Sequence, residues 1–107
     1  MGFGYGKQTI DENDIAAVVE VLKSDFLTQG PTIDLFETEV AAYTGAKYAV
    51  AFSNATAALH AACSALGVNN SDLVWTSPNS FVASANCARY LGADIDFVDI
   101  NPESLLI

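Results

Sequence analysis

Basic residues are scarce in this sequence of 107 residues: 4 Lys and Arg stand against 13 Asp and Glu, for a formal net charge of −9. This balance argues against nucleic-acid binding, which needs a basic face, and against docking on an anionic membrane. A small anionic ligand is compatible with it, because backbone N–H groups can hold an anion without any Lys or Arg.

Cysteine and histidine are also rare, with Cys63, Cys87 and the single His60. The cysteines form no Cys-x-x-Cys pair and one His does not complete a zinc set, so no metal site is predicted. We interpret both cysteines as reduced core thiols and His60 as a structural residue of an Ala-rich helix. The aspartates within residues 94–99 are interpreted as a solvated strand end.

Two further features concern location and completeness. The sequence has no recognisable signal peptide and no apolar run of the roughly 20 residues that a spanning helix needs, so we expect a cytoplasmic protein. With 51% hydrophobic residues and a mean hydropathy of +0.30, it is apolar for a free-standing domain of this length, because small domains need more polar cover. We therefore expect that the sequence, which stops at Ile107, is truncated and packs against a missing part.

The spacing of apolar residues predicts two helices, over residues 12–24 and 32–43, with Asp11 and Thr32 as their caps. Strands and helices then alternate, with strands predicted at 48–52, 73–76 and 95–98 and helices at 57–66 and 81–91. Such an alternation predicts an α/β fold with a parallel sheet.

Two turns of this pattern are candidate ligand sites, because ligands of open parallel sheets bind beyond the carboxyl ends of the strands. In the turn at 53–58, free N–H groups of Thr56 and Ala57 and the Thr56 hydroxyl would form a cradle for a phosphate group. The same residue types are typical of an ordinary helix cap. The turn at 76–81 is expected to bring Phe81 to the same end of the sheet, where it either stacks on a flat ring or belongs to the core.

Several short motifs follow one another along the chain. They include Leu27-Thr28-Gln29-Gly30, Ser53-Asn54-Ala55-Thr56-Ala57-Ala58-Leu59, Thr76-Ser77-Pro78-Asn79-Ser80-Phe81-Val82-Ala83 and Phe97-Val98-Asp99-Ile100. In order and spacing they resemble the start of the DegT-type nucleotide-sugar aminotransferases. Within that family, the first two motifs most resemble the UDP-4-amino-4,6-dideoxy-N-acetyl-β-L-altrosamine transaminases of pseudaminic acid synthesis.

The resemblance implies a fold of the aspartate-aminotransferase type that binds pyridoxal 5′-phosphate (PLP). Residues 1–107 would be the N-terminal arm, the helices and the first three strands of the large α/β/α domain, with a mostly parallel sheet that is incomplete here. The full-length enzymes of this family are homodimers, so a homodimer is expected.

The resemblance also implies roles for individual residues. Thr56 and Ala57 would hold the cofactor phosphate, Phe81 would stack on the pyridine ring, and Ala55 would touch substrate or cofactor. Approach to the sugar-nucleotide substrate is implied for Tyr5, Asp25, Phe26, Leu27 and Thr28.

The implied reaction passes an amino group from glutamate through PLP to a nucleotide-linked 4-keto-6-deoxy sugar. It needs a Lys that forms a Schiff base with PLP and an Asp on the pyridine nitrogen. In the family both lie well beyond the position of Ile107, and none of Lys7, Lys23 and Lys47 matches the Schiff-base position. No catalytic residue is therefore predicted within the chain, and we expect these 107 residues alone to be inactive.

Two alternatives stay open. A sugar dehydratase of the same family carries His in place of the Schiff-base Lys, at a position outside this sequence. A small acidic α/β binding module without enzymatic activity would instead fold alone as a monomer. A flavodoxin-like nucleotide binder is disfavoured, because it would want a phosphate loop richer in Gly, Ser and Thr than the turn at 53–58.

Overall fold

A computed structural model describes residues 6–107, which fall into two compact units, one ending at Val50 and the other beginning at Ala51. The elements in chain order are α1 (Glu12–Lys23), α2 (Pro31–Thr44), α3 (Ala55–Ala65), β1 (Leu73–Thr76), α4 (Ala83–Arg89) and β2 (Asp94–Phe97). No helix in the described part of the chain is long and apolar enough to cross a membrane.

Helix α1 begins at the predicted cap, Asp11. The Asp11 carboxylate accepts hydrogen bonds from the N–H groups of Asn13 and Asp14, at 2.8 and 3.1 Å. In return, the Asp14 carboxylate accepts from the Asp11 N–H at 2.9 Å. This reciprocal capping box satisfies three donors at the helix start that would otherwise stay unpaired. The prediction of Asp11 as the cap is confirmed.

Helix α2 begins earlier than the sequence predicts. Its N-cap is Gly30 and Pro31 occupies the first helical position, so the prediction of Thr32 as the cap is wrong. Proline suits that position, because its ring fixes a helical φ and the N–H that it lacks has no partner within the helix. Gly45 ends the helix in the left-handed region, at φ 71°.

Gly30 combines two constraints that only glycine meets. Its φ of 149° and ψ of −179° lie in a region that side chains with a Cβ rarely adopt. A Cβ built on Gly30 would also lie 2.7 Å from the Phe26 Cβ. The close approach of these two residues therefore fixes the path of residues 26–30 into α2.

The second unit contains a parallel pair of strands joined through α4. Residues Leu73, Val74, Trp75 and Thr76 of β1 pair in register with Asp94, Ile95, Asp96 and Phe97 of β2. Hydrogen bonds of 3.0 Å from the Asp94 N–H to the Asp72 carbonyl and from the Val98 N–H to the Thr76 carbonyl extend the ladder at both ends. The two predicted strands at 73–76 and 95–98 are thus observed, the second shifted by one residue.

The core of the second unit is made of small side chains. Helix α4 packs on α3 and on both strands, and its buried residues are Ala83, Cys87 and Ala88. Ala93, in the connection to β2, is also buried. Small side chains let the backbones approach closely, so the position of α4 is set by backbone shape more than by large interdigitating groups.

Residues 48–52 do not form the strand that the sequence predicts. They follow the end of α2 and are not assigned to any helix or strand, and the sheet of the described residues consists of β1 and β2. A run of β-prone residues becomes a strand only when a neighbouring strand pairs with its backbone. The predicted helix at 81–91 is likewise shorter, because α4 begins at Ala83 and leaves Phe81 in the preceding loop.

We expect Gly30→Ala to destabilise the protein by about 2–3 kcal/mol, because backbone strain and the clash with Phe26 act together. The free energy of unfolding in urea measures this. Gly45→Ala is the matched control, since Gly45 also has a positive φ but has open space where a Cβ would stand. Its cost should be only about 1 kcal/mol, and equal costs at the two positions would contradict the role given to Phe26.

Candidate functional site

The first candidate turn is organised by the side chain of Asn54. Asn54 is the N-cap of α3, and its side-chain oxygen accepts a hydrogen bond from the Ala57 N–H at 2.9 Å. Its side-chain nitrogen donates to the Ser53 hydroxyl at 3.2 Å. The Asn54 carbonyl accepts from the Ala58 N–H at 3.2 Å, which is the first bond of the helical ladder.

This capping changes which donors of the turn are available. The sequence predicts free N–H groups at both Thr56 and Ala57, but the Ala57 N–H is already bonded to Asn54, so that part of the prediction is wrong. Asn is among the strongest N-cap residues, and the third helical N–H is a usual target for a cap. Among the described residues, no hydrogen bond engages the Thr56 N–H.

The start of α3 is locally free of negative charge, although the whole chain is acidic. The first turn of α1 contains Glu12 and Asp14, and that of α2 contains Asp34, whereas the first turn of α3 contains no carboxylate. The partial positive charge at the N-terminus of α3 is therefore not neutralised within its own turn. Thr56, half-buried there, offers a hydroxyl beside the unpaired N–H.

The second candidate turn forms one side of a cavity of about 240 Å³. Phe81 lies at its rim with 73% of its surface exposed, so the alternative that it belongs to the core is wrong for the described residues. The cavity is lined by Thr76, Ser77, Pro78, Ser80, Phe81, Val82, Ser84, Ala85 and Phe97. It thus lies where β1 and β2 end, at the edge of the sheet where ligands are expected.

Neither Thr56 nor Ala57 lines this cavity. The two turns belong to the same compact unit, but their use by one ligand stays a prediction. Four contributors to the cavity lie outside the predicted turn at 76–81: Val82, Ser84, Ala85 and Phe97. For Ser84, its spacing of four residues from Ser80 at the start of a predicted helix is a usable signal.

The candidate site contains no lysine of its own. Lys7, Lys23 and Lys47 all belong to the first unit, and the second unit, from Ala51 to Ile107, has none. Ile107, the last residue, is 71% exposed and does not line the cavity beyond the strands. The location of the Schiff-base Lys beyond Ile107 stays a prediction, and none of the residues that line the cavity is a lysine.

The remaining chemically notable residues of this unit serve packing and turns. The rings of His60 and Tyr90 meet edge to face with 5.3 Å between their centroids, which joins α3 to the end of α4. The carboxylates of Asp96 and Asp99 accept hydrogen bonds from the next N–H in the chain, both at 2.8 Å.

Cys63 and Cys87 are free thiols on the two packed helices. Cys87 is buried and donates to the Ser84 carbonyl at 3.3 Å. Partial burial raises the pKa of the Cys63 thiol, and the neighbouring Cys87 side chain raises that pKa further. The prediction of a core thiol is confirmed for Cys87 and wrong for Cys63, which is only half-buried. The raised pKa still lowers the reactivity of the Cys63 thiol.

The candidate substrate residues of the first unit lie in the loop between α1 and α2. Phe26 lines a hollow beside Gly30 and Pro31, whereas Leu27 lines a separate apolar hollow against α1. Both side chains are more than 60% exposed. Asp25 and Thr28 are exposed in the same loop, and Tyr5 lies outside the described residues.

The sequence of residues 8–107 matches the pattern of the DegT/DnrJ/EryC1/StrS aminotransferase family. The chain belongs to this family. A Campylobacter jejuni relative named UDP-4-amino-4,6-dideoxy-N-acetyl-beta-L-altrosamine transaminase is 43% identical over 96 residues, which are 90% of this chain and 25% of that protein. The chain thus spans about a quarter of the length of the curated relatives that it matches.

Solved structures agree with this assignment. The Streptococcus pneumoniae protein Spr1654 in its PLP-form superposes with a TM-score of 0.85 and 32% identity, over 89% of this chain and 24% of that one. Helicobacter pylori PseC, an aminotransferase of pseudaminic acid biosynthesis, superposes with a TM-score of 0.83 and 35% identity, over 92% of this chain and 27% of that one. The predicted fold class, part of an α/β domain of PLP-dependent aminotransferases, is therefore confirmed.

We expect Asn54→Ala to lower the free energy of unfolding by about 1 kcal/mol, because the Ala57 N–H loses its cap. Denaturation in urea measures the loss. Asn54→Ser is the matched control, since a serine hydroxyl caps a helix nearly as well, and it should recover most of the stability. Equal losses for the two variants would contradict the capping role of the side chain.

We expect Cys63 to be alkylated by iodoacetamide more slowly than free cysteine at neutral pH. Only the thiolate reacts, and a raised pKa leaves less thiolate at a given pH. The rate should keep rising with pH after that of free cysteine has levelled off. Mass spectrometry of the Cys63 peptide measures the rate, the urea-unfolded protein provides the control, and identical pH profiles for the two would contradict the effect of burial.

Proposed function

We propose that the full-length protein is a PLP-dependent aminotransferase that transfers an amino group from glutamate to a nucleotide-linked 4-keto-6-deoxy sugar. Membership of the family supports the class of reaction. The similarity to a transaminase that acts on a UDP-linked amino sugar, and to PseC, supports a UDP-linked 4-keto sugar of the pseudaminic acid type.

The observation that carries the proposal is the start of α3. An unpaired N–H and a hydroxyl of Thr56 lie at a helix N-terminus whose first turn has no carboxylate. These groups fit a phosphate dianion, because both can donate hydrogen bonds to it and the helix dipole favours negative charge. Ala57 would add its N–H when the Asn54 side chain releases it, and Ala55 adjoins both.

Phe81 is the proposed partner of the cofactor ring. Phe81 and Phe97 both line the cavity beyond β1 and β2 and are exposed, and Phe81 is the more exposed of the two. A flat ring held against an aromatic face gains dispersion and loses contact with water. PLP, when bound, supplies the electron sink that the exchange of an amino group needs. We place the Lys that binds it covalently beyond Ile107, so residues 1–107 alone would be inactive.

The proposed substrate contacts lie in the first unit. The exposed side chains of Phe26 and Leu27, with Asp25 and Thr28 beside them, offer apolar and polar surface to a sugar nucleotide, and Tyr5 would join them.

A homodimer is proposed as the working form of the full-length protein. Many large apolar side chains of α1 and α2 are exposed, among them Val18, Leu22 and Phe36. Exposed apolar side chains in such number favour packing against further protein, and this supports an assembly in which these helices are covered.

The proposed function is tested on the full-length protein. It should bind PLP, glutamate should convert the bound cofactor to its amino form, and a UDP-linked 4-keto-6-deoxy sugar should then gain an amino group, as measured by absorbance and mass spectrometry. A protein that binds no PLP, or that does not react with glutamate, contradicts the proposal. Loss of a hydroxyl from the sugar without gain of nitrogen would indicate the dehydratase.

We expect Thr56→Ala to weaken PLP binding by roughly 10- to 100-fold, because a hydrogen bond to a charged group contributes about 1.5–3 kcal/mol. Equilibrium titration of the apoenzyme with PLP measures this. Thr56→Ser keeps the hydroxyl and should bind nearly as well as the wild type. Thr38→Ala is the control for a helical Thr→Ala change, since the Thr38 hydroxyl bonds to the Asp34 carbonyl of its own helix, at 2.8 Å. Unchanged binding by Thr56→Ala would remove Thr56 from the cradle.

A further inference from the structure

Phe81 must be held in a defined position if it is to stack on a ring, and its exposed side chain contributes little to that. The residue lies in the loop between β1 and α4, and 73% of its surface is exposed. The loop backbone sets where the ring of Phe81 can stand, and each freedom of the loop that binding has to remove weakens the complex. The position at which Phe81 presents its ring therefore depends on the contacts that hold its backbone.

Ser84 contacts the residues around Phe81 in two ways. Its N–H donates to the Phe81 carbonyl at 2.9 Å. Its hydroxyl shares a hydrogen bond of 3.1 Å with the hydroxyl of Ser80, the residue that precedes Phe81. The first bond ties the Phe81 backbone to the start of α4. The second ties Ser80, on the other side of Phe81, to the same helix, so both bonds from Ser84 restrain the backbone of Phe81.

Substitution of Ser84 can remove its side-chain bond to Ser80 while its backbone bond to Phe81 stays. An alanine at position 84 keeps the N–H and its bond to Phe81, and it deletes only the link to Ser80. Ser84 is half-buried and lines the same cavity as Phe81, so its hydroxyl lies on the side of the helix that faces the proposed ring site. Other side-chain hydroxyls of the chain, such as those of Thr38 and Thr44, bond to carbonyls of their own helix instead.

We propose that Ser84 is a positioning residue, which through its hydroxyl bond to Ser80 fixes the loop that presents Phe81 to the cofactor ring. This inference rests on the proposed function for the identity of the ring. The bond itself and its effect on the loop do not depend on that function. In this proposal, Ser84 acts on ligand binding through the loop that carries Phe81.

The test compares Ser84→Ala, Ser84→Thr and Ser71→Ala in the full-length protein. Ser84→Thr keeps a hydroxyl at the same place. Ser71→Ala is the matched control, because it also deletes a serine hydroxyl from a side-chain bond, here to Asn69 at 2.6 Å, in the turn before β1. PLP affinity is measured by titration, and the circular dichroism that the bound cofactor acquires reports how its ring is held.

We expect Ser84→Ala to weaken PLP binding roughly fivefold, the factor that corresponds to one ordinary hydrogen bond, and to reduce the cofactor's circular dichroism. Ser84→Thr should restore both, and Ser71→Ala should change neither. Wild-type affinity and dichroism in Ser84→Ala would overturn the proposal, as would equal defects in the alanine and threonine variants.

A second readout separates this inference from the proposed function. In the protein without cofactor, amide hydrogen exchange of the segment around residues 80–86 should be faster in Ser84→Ala than in the wild type and in Ser84→Thr, since the loop loses a closing contact. If the wild type binds no PLP, the proposed function fails while the exchange data still test the bond. Unchanged exchange in Ser84→Ala overturns the positioning role whatever the cofactor.

Discussion

The packing of α4 against α3 and the two strands is the constraint on which the candidate site of the second unit depends. A helix of seven residues is far shorter than an isolated helix needs to be stable, so its structure comes from its contacts. Ala83, Cys87 and Ala88 face those contacts and are buried. Because Phe81 and the Ser80–Ser84 link lie at the start of this helix, their positions follow from how closely small side chains let α4 approach its neighbours.

A local absence of charge matters more for the site than the net charge of −9. At physiological ionic strength, exposed charges farther apart than about 8 Å are largely screened, so a bound anion responds chiefly to its own turn. There α3 differs from α1 in the chemistry of its cap. Asp11 caps α1 with a carboxylate, whereas Asn54 caps α3 with a neutral carboxamide. Both satisfy the helix, but only the neutral cap leaves the N-terminus attractive to a phosphate group.

Prediction from the sequence succeeds where the deciding interactions are local. The Asp11 cap lies within four residues of its partners, and β1 was predicted with its observed bounds because turn residues flank it. Prediction fails where the structure of a segment depends on a distant partner strand, or where two neighbouring residues could each begin a helix. Residues 48–52 have strand-forming side chains, yet strands are defined by a neighbour that no local pattern reveals. At α2, both Thr32 and Gly30 with Pro31 could begin the helix, and the fixed φ of proline favoured the earlier start.

The hydrogen bonds of the turn at 53–58 were likewise only partly predictable from the sequence. The sequence indicates that residues 53–58 can bind an anion or cap a helix. It does not show whether the Ala57 N–H bonds to the capping side chain or stays available to an anion. In the structure, Asn54 holds the Ala57 N–H, while the Thr56 N–H stays unpaired within the described residues. Hydrogen bonds to an ionised acceptor are roughly twice as strong as those between neutral groups. Under the proposed function, a phosphate group at Thr56 would therefore compete with the Asn54 carboxamide for the Ala57 N–H, and the cap would stabilise α3 when no ligand is bound.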